Sequence, residues 1–196
     1  ICEDVAQAVD GAEIIFVVLP AFAHAYVAQE LAGCLVDGQT VVVCPGATGG
    51  ALEFRAIWDR AGCRSKVRLC ETNSLFYAAR AQDAVATISG VKDELSLAAL
   101  PAQDTQAIID DLSDVYPQLI PAANVLETSL NNMNTVVHPL PVLLNAGSIE
   151  RGEKFRHYFD GITPAVGEVV EQMDRERVAV GRAYGLDILS LRDAYI

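Results

Sequence analysis

Positive charge is scarce in this chain. Of 196 residues only 14 are lysine or arginine, against 26 aspartate and glutamate, and the formal net charge is -12. A surface of that sign repels polyanions, so nucleic acid and an anionic membrane face are not expected partners. An anionic substrate has to be held by a few local cations against the overall field. The longest apolar run, "IIFVVLPAFAHAYVA", is broken by Pro20 and His24. It falls short of the roughly 20 apolar residues a membrane span requires. The five cysteines (Cys2, Cys34, Cys44, Cys63 and Cys70) are odd in number, widely spaced and without a CxxC. They fit reduced, buried thiols of a cytoplasmic protein better than a disulfide framework. Zinc-ligand spacings such as HExxH, a Walker Gly-Lys-Ser/Thr, a nucleophile elbow and a cysteine–histidine signature are all missing, and no metal site is expected. No repeat, low-complexity tract or secretory signal is visible. The chain opens on Ile1 rather than Met, so its true N-terminus, with any targeting segment, is expected upstream.

What is present is an ordinary globular composition, 52% apolar and 20% charged. The length suits one large domain or two small ones. The first half alternates between two periodicities. "AEIIFVVLP" (12–20), "QTVVVCPG" (39–46) and "SKVRLCE" (65–71) read as strands buried on both faces, and 21–35 and 47–62 read as the helices between them. Tyr26, Val27 and Leu31 make the apolar stripe of the first helix, and Leu52, Ile57 and Trp58 that of the second. The alternation predicts a parallel α/β sheet. "AVATISGVKDELSLAALP" then predicts two strands joined at Lys92-Asp93-Glu94 as an antiparallel hairpin, followed by a helix at 103–114. The prolines of "VYPQLIPAANVL" mark a change of module, after which only helices are expected, at about 124–138 and 164–184. Val166, Val169, Val170, Met173 and Val180 form the apolar face of the last one. The predicted division is an α/β domain over 1–122 and an all-helical domain over 123–196.

Two places hold residues suited to chemistry. In "NNMNTVVHPLPVLLNAG", Asn134 and His138 stand four apart and share a helical face, while Pro139 and Pro141 break the helix just beyond. A histidine at such a break can point into a cleft and exchange a proton near neutral pH. The same pattern also suits a core histidine bonded to a carbonyl freed by the kink, and the segment alone leaves both readings open. The second place is "CPGATGG" (44–50), at the carboxyl end of a predicted strand, where open α/β sheets bind ligands. Its glycines allow close backbone approach, and the helix start beyond favours an anion. A plain strand-to-helix turn fits equally well, and the same holds for "VLPAFAH" (18–24). His24, early in a helix, and His157, in the charged "RGEKFRHYFDG", are weaker candidates. "MDRERVAVGR" reads as a solvated helix face with Glu171 and Arg175 paired.

In order along the chain, "VLPAFAH", "CPGATGGALEFR", "ETNSLFYAAR", "ISGVKDELSLAALPA", "NVLETSLNNMNTVVHPLPVLLNAG" and "YFDGITPAVGEVVEQMDRERVAVGRAYGL" resemble the octopine/nopaline (opine) dehydrogenase family. The resemblance implies an α/β fold: a partial Rossmann-type parallel sheet, lacking its first strand and glycine loop, followed by a helical C-terminal domain that is itself incomplete. It implies use of NAD or NADP to reduce the imine of an amino acid and a 2-oxo acid. His138 matches the family's catalytic histidine and Asn134 the asparagine one turn before it. Pro20, Ala21, Pro45 and Gly46 fall where the family holds its dinucleotide. The glycine fingerprint and the acidic partner of the histidine lie outside this chain, so these residues are expected to be part of a longer enzyme and to turn over poorly alone. A hydroxy-acid or ketopantoate-type reductase of the same plan, and a non-catalytic binding or oligomerisation module, remain open alternatives. The apolar helical half suits a homodimer. Arg80, Arg151 and Arg156 are available to substrate carboxylates.

Overall fold

A computed structural model describes residues 2–195. The chain divides into two compact units, one running to Ser129 and the other starting at Leu130. The sheet unit thus keeps seven residues more than the expected division after 122, because Thr128 and Ser129 are hydrogen-bonded to the sheet residue Glu71.

The sheet unit contains β1 (Ile14–Val17), β2 (Thr40–Val43), β3 (Arg68–Thr72), β4 (Tyr77–Gln82), β5 (Val85–Val91), β6 (Leu95–Ala99) and β7 (Leu119–Pro121). Five of them form one sheet in the order β1-β2-β3-β6-β7, and β4 pairs with β5 apart from it. The first three are parallel, β6 runs antiparallel to β3, and β7 is parallel to β6. All four residues of β2 are buried, since helices cover both of its faces. On one face α1 (Val5–Val9), α2 (His24–Ala32) and α3 (Gly50–Ala61) pack Val9, Ala28, Leu31, Phe54 and Trp58 onto Val17, Val41, Val43 and Leu69. On the other, α4 (Thr105–Leu112) packs Ile108, Ile109 and Leu112 onto Val42, Cys70 and Leu97.

The expected hairpin is not formed by the two strands flanking Lys92-Asp93-Glu94. β5 turns back on β4 through Asp83 and Ala84, both at positive φ, whereas β6 enters the main sheet. Burial separates the two strands: β6 is covered on both faces and β5 is almost wholly exposed. Asp-Ala is also a weak signal for a two-residue turn that favours Asn-Gly or Asp-Gly. Strand β7, where only a module boundary was expected, ends on Pro121 at the sheet edge, the place a proline is tolerated. Single stripe residues depart as well: Tyr26 and Leu52 are exposed, and His24, Ala28, Ala51 and Phe54 take the buried positions.

The expected helix over 124–138 is two pieces, α5 (Val125–Leu130), which closes the sheet unit, and α6 (Asn134–Val137) in the helical unit. α7 (Pro139–Leu144), α8 (Ala146–Glu150), the long α9 (Pro164–Ala183) and α10 (Leu191–Tyr195) follow. The buried face of α9 is Val170, Asp174, Arg177, Val178 and Gly181, and Val169 and Val180 are exposed. Asp174 and Arg177 therefore leave the solvated face assigned to "MDRERVAVGR", while Glu171 and Arg175 form the expected surface pair at 3.8 Å. Among the described residues no helix is long and apolar enough to cross a membrane.

Candidate functional site

Parallel strands β1 and β2 end side by side, and the Cys44 N–H donates to the Val17 carbonyl at 2.9 Å where they do. The two loops singled out in the sequence leave from this point. Pro20 and Ala21, both exposed, start a single 3-10 turn, Ala21–Ala23, ahead of α2. Pro45 is half-buried after a cis peptide bond, Gly46 is buried, and Gly49 in the left-handed region caps α3. The four residues thus share one ledge at the carboxyl ends of adjacent parallel strands, where the fold opens to ligands.

Beneath the ledge lies Glu71, fully buried. The register places Val17, Val43, Glu71 and Ala98 in one row across the sheet, so a carboxylate stands at a core position. It accepts the Ala51 N–H at 2.7 Å, the Thr128 hydroxyl at 2.6 Å and the Ser129 hydroxyl at 3.1 Å. Ser129 Oγ in turn accepts the Gly49 N–H at 2.9 Å. Burial pushes the Glu71 carboxyl up, and the bonds from Thr128, Ala51 and Ser129 oppose that rise. One expectation changes here. The start of α3 was to favour an incoming anion, but the chain's own carboxylate already takes that position.

Gly46 is small for an internal reason. A Cβ there would collide with the Glu71 side chain. Gly46→Ala is expected to destabilise the sheet unit by about 1–3 kcal/mol through overpacking, and urea unfolding of wild type and variant measures it. An unchanged midpoint would mean that the loop moves aside freely.

The second candidate place answers the puzzle of a histidine followed by two prolines. His138 stands at the junction of α6 and α7; its N–H reaches the Asn134 carbonyl at 3.4 Å, and its carbonyl accepts from Val142 at 3.3 Å. Pro139 and Pro141 both fall in the first turn of α7, where N–H groups have no partner within the helix and their loss costs little. The asparagines divide by task. Asn131 caps the Leu189 N–H, Asn132 caps the N–H of Asn134, and Asn145 donates to the carbonyls of Pro141 and Gly161. Among the four, Asn134 is the exposed one.

The His138 ring is exposed, with Nε2 2.8 Å from the Tyr158 hydroxyl and an edge contact to His157 at 5.6 Å between centroids. The core-histidine reading does not hold. His157 is not simply solvated: its Nε2 lies 3.1 Å from the Val137 carbonyl and its ring stacks edge-on with Tyr158. Because a carbonyl only accepts, that nitrogen carries the hydrogen. Partial burial, and then the neighbouring His157, lower the pKa of His138 below the usual 6.5. His24 is buried, with Nε2 3.1 Å from the Leu19 carbonyl and its ring edge-on to Phe54. Of the arginines, Arg151 pairs with Glu153 at 2.6 Å, and Arg156 donates to both oxygens of Asp160 from Nε and Nη2, each at 3.0 Å. Arg80 sits on the exposed hairpin.

The profile of the "NAD/NADP octopine/nopaline dehydrogenase, alpha-helical domain" matches residues 121–196. An opine dehydrogenase of Arthrobacter sp. (strain 1C) is 40% identical over 193 residues, covering 98% of this chain and 54% of the relative. Residues 121–196 belong to the opine dehydrogenase family. The chain spans about half the length of the curated relatives it matches. Among solved structures, yersinopine dehydrogenase with NADP+ bound superposes with a TM-score of 0.80 at 18% identity, covering 96% of this chain and 48% of that one. Octopine dehydrogenase with NADH and L-arginine superposes with a TM-score of 0.68 at 22% identity, covering 93% and 47%. The opine dehydrogenase fold of an α/β sheet followed by helices is therefore the fold of this chain.

Two groups escaped the reading of the sequence. Tyr158 lies 20 positions from His138, and no spacing rule connects them. Glu71 did leave a signal: in "VRLCE" it stands two residues after the inward Leu69, where a buried strand should carry an apolar side chain.

Proposed function

We propose that the full-length protein carrying these residues is an NAD(P)-dependent opine dehydrogenase that joins an amino acid to a 2-oxo acid by reducing their imine. Bound NADH or NADPH supplies the hydride that adds to the imine carbon. The imidazolium of His138 gives a proton to the nitrogen, producing a secondary amine, and the neutral ring takes it back in the reverse direction. The exposed carboxamide of Asn134, one turn earlier on the same side of the helix, orients the substrate or the ring. Pro20, Ala21, Pro45 and Gly46 hold an uncharged part of the nucleotide, which suits a ledge whose helix start is already neutralised by Glu71. The observation that carries the reading is the exposed His138 at the helix junction, with its ring nitrogen on Tyr158 and the exposed Asn134 one turn before it, in a chain similar to dehydrogenases.

The test is substrate dependence. NAD(P)H oxidation should require an amino acid and a 2-oxo acid together, and oxidation with the oxo acid alone would point to a hydroxy-acid reductase instead. Acidity gives a second check. Partial burial and then His157 lower the pKa of His138, so its proton-donating form is gained as pH falls. The reductive rate should therefore climb as pH falls and the oxidative rate as pH rises. A reductive rate that rises with pH would contradict proton donation by this ring.

A further inference from the structure

We propose that Glu71 is the positioning residue of the nucleotide ledge: its buried carboxylate holds the loop from Gly46 to Ala51 in its binding shape, so that cofactor affinity depends on it. The inference rests on the nucleotide reading given above. Three independent contacts converge on the loop. The acid fills the space a Cβ at Gly46 would need, takes the Ala51 N–H directly at 2.7 Å, and reaches the Gly49 N–H through Ser129. Thr128 clamps the same carboxylate from α5 at 2.6 Å. A valine or alanine would fill this row of the sheet as its neighbours Val17, Val43 and Ala98 do, and a buried acid costs stability. Its presence is explained by what it holds. A loop fixed before the ligand arrives loses less entropy on binding, which appears as affinity.

The experiment uses the full-length enzyme with NADH and NADPH. Glu71→Gln keeps the shape but sets an amide N–H₂ against donors. It is expected to raise the cofactor Kd and KM roughly 10-fold or more, the effect of weakening a charge-assisted hydrogen bond. The kcat at saturating cofactor should stay within about 3-fold, because the carboxylate stabilises nothing peculiar to the transition state. Hydrogen exchange at the Ala51 amide should accelerate together with the loss of affinity. Thr128→Val removes one bond to the carboxylate, and Ser129→Ala removes two, one to the carboxylate and one from the Gly49 N–H; both should show the same KM-over-kcat pattern at smaller size, and serve if Glu71→Gln does not fold. Faster Ala51 exchange with unchanged cofactor Kd would overturn the proposal, as would a fall in kcat with KM unchanged. Wild-type enzyme that binds neither NADH nor NADPH overturns the nucleotide reading itself, a result distinct from a wild type that binds and variants that bind equally well.

Discussion

His138→Ala in the full-length enzyme should lower the rate of imine reduction by roughly 10²–10⁴-fold, the usual contribution of a positioned general acid. Alanine costs little here, because the residue is exposed, its ring is only partly buried, and its backbone bonds to Asn134 and Val142 do not involve the side chain. Fold and melting temperature should accordingly be nearly unchanged. The loss should fall on kcat and kcat/KM for the oxo acid and amine, while the Kd for NAD(P)H stays as it was. Stopped-flow single turnovers beside cofactor titrations separate the two. A variant that retains its hydride-transfer rate would remove His138 from the chemistry. Cofactor binding with no turnover in the wild type would favour a non-catalytic module.

The second large effect is structural. Arg177 is buried on α9; its guanidinium pairs with Asp174 at 2.6 Å and donates to the carbonyls of Leu130 and Leu189. The other oxygen of Asp174 accepts the Leu191 N–H at 2.8 Å. One pair therefore ties the start of the helical unit and the segment after α9 to that helix. Arg177→Leu leaves a buried carboxylate without its partner and two carbonyls without donors, and should destabilise the helical unit by about 3–5 kcal/mol. Replacing both residues together, with Asp174→Leu and Arg177→Met, removes the charge as well as its partner and should cost clearly less. Urea unfolding of the two variants compares them. Equal losses would mean that the pair acts through packing rather than charge.

How legible these features were in the sequence depends on the range of the contact involved. His138 and Asn134 were recognisable because they are one helical turn apart and sit before a proline, all within a few residues. The proline loops were recognisable because a strand end and a turn residue adjoin in sequence. The partner of the ring was not, since Tyr158 is 20 residues away and reaches it only through a turn held by Asn145. The buried faces of α9 failed for a related reason. Hydropathy ranks Val169 and Val180 above Asp174 and Arg177, yet two charges that neutralise each other can be buried where an isolated one cannot.

By itself the sequence determined the alternation of the first three strands with α2 and α3, the parallel run of those strands, the family resemblance, and the residues on which chemistry is proposed. Each rests on periodicity or on motifs a few residues long, and neighbours along the chain are fixed by covalent geometry. The tertiary structure decided which strand β6 joins, that an acid rather than a ligand neutralises the start of α3, and that His138 meets Tyr158 and His157. Those contacts join residues tens of positions apart, and only the folded chain's register and burial select them.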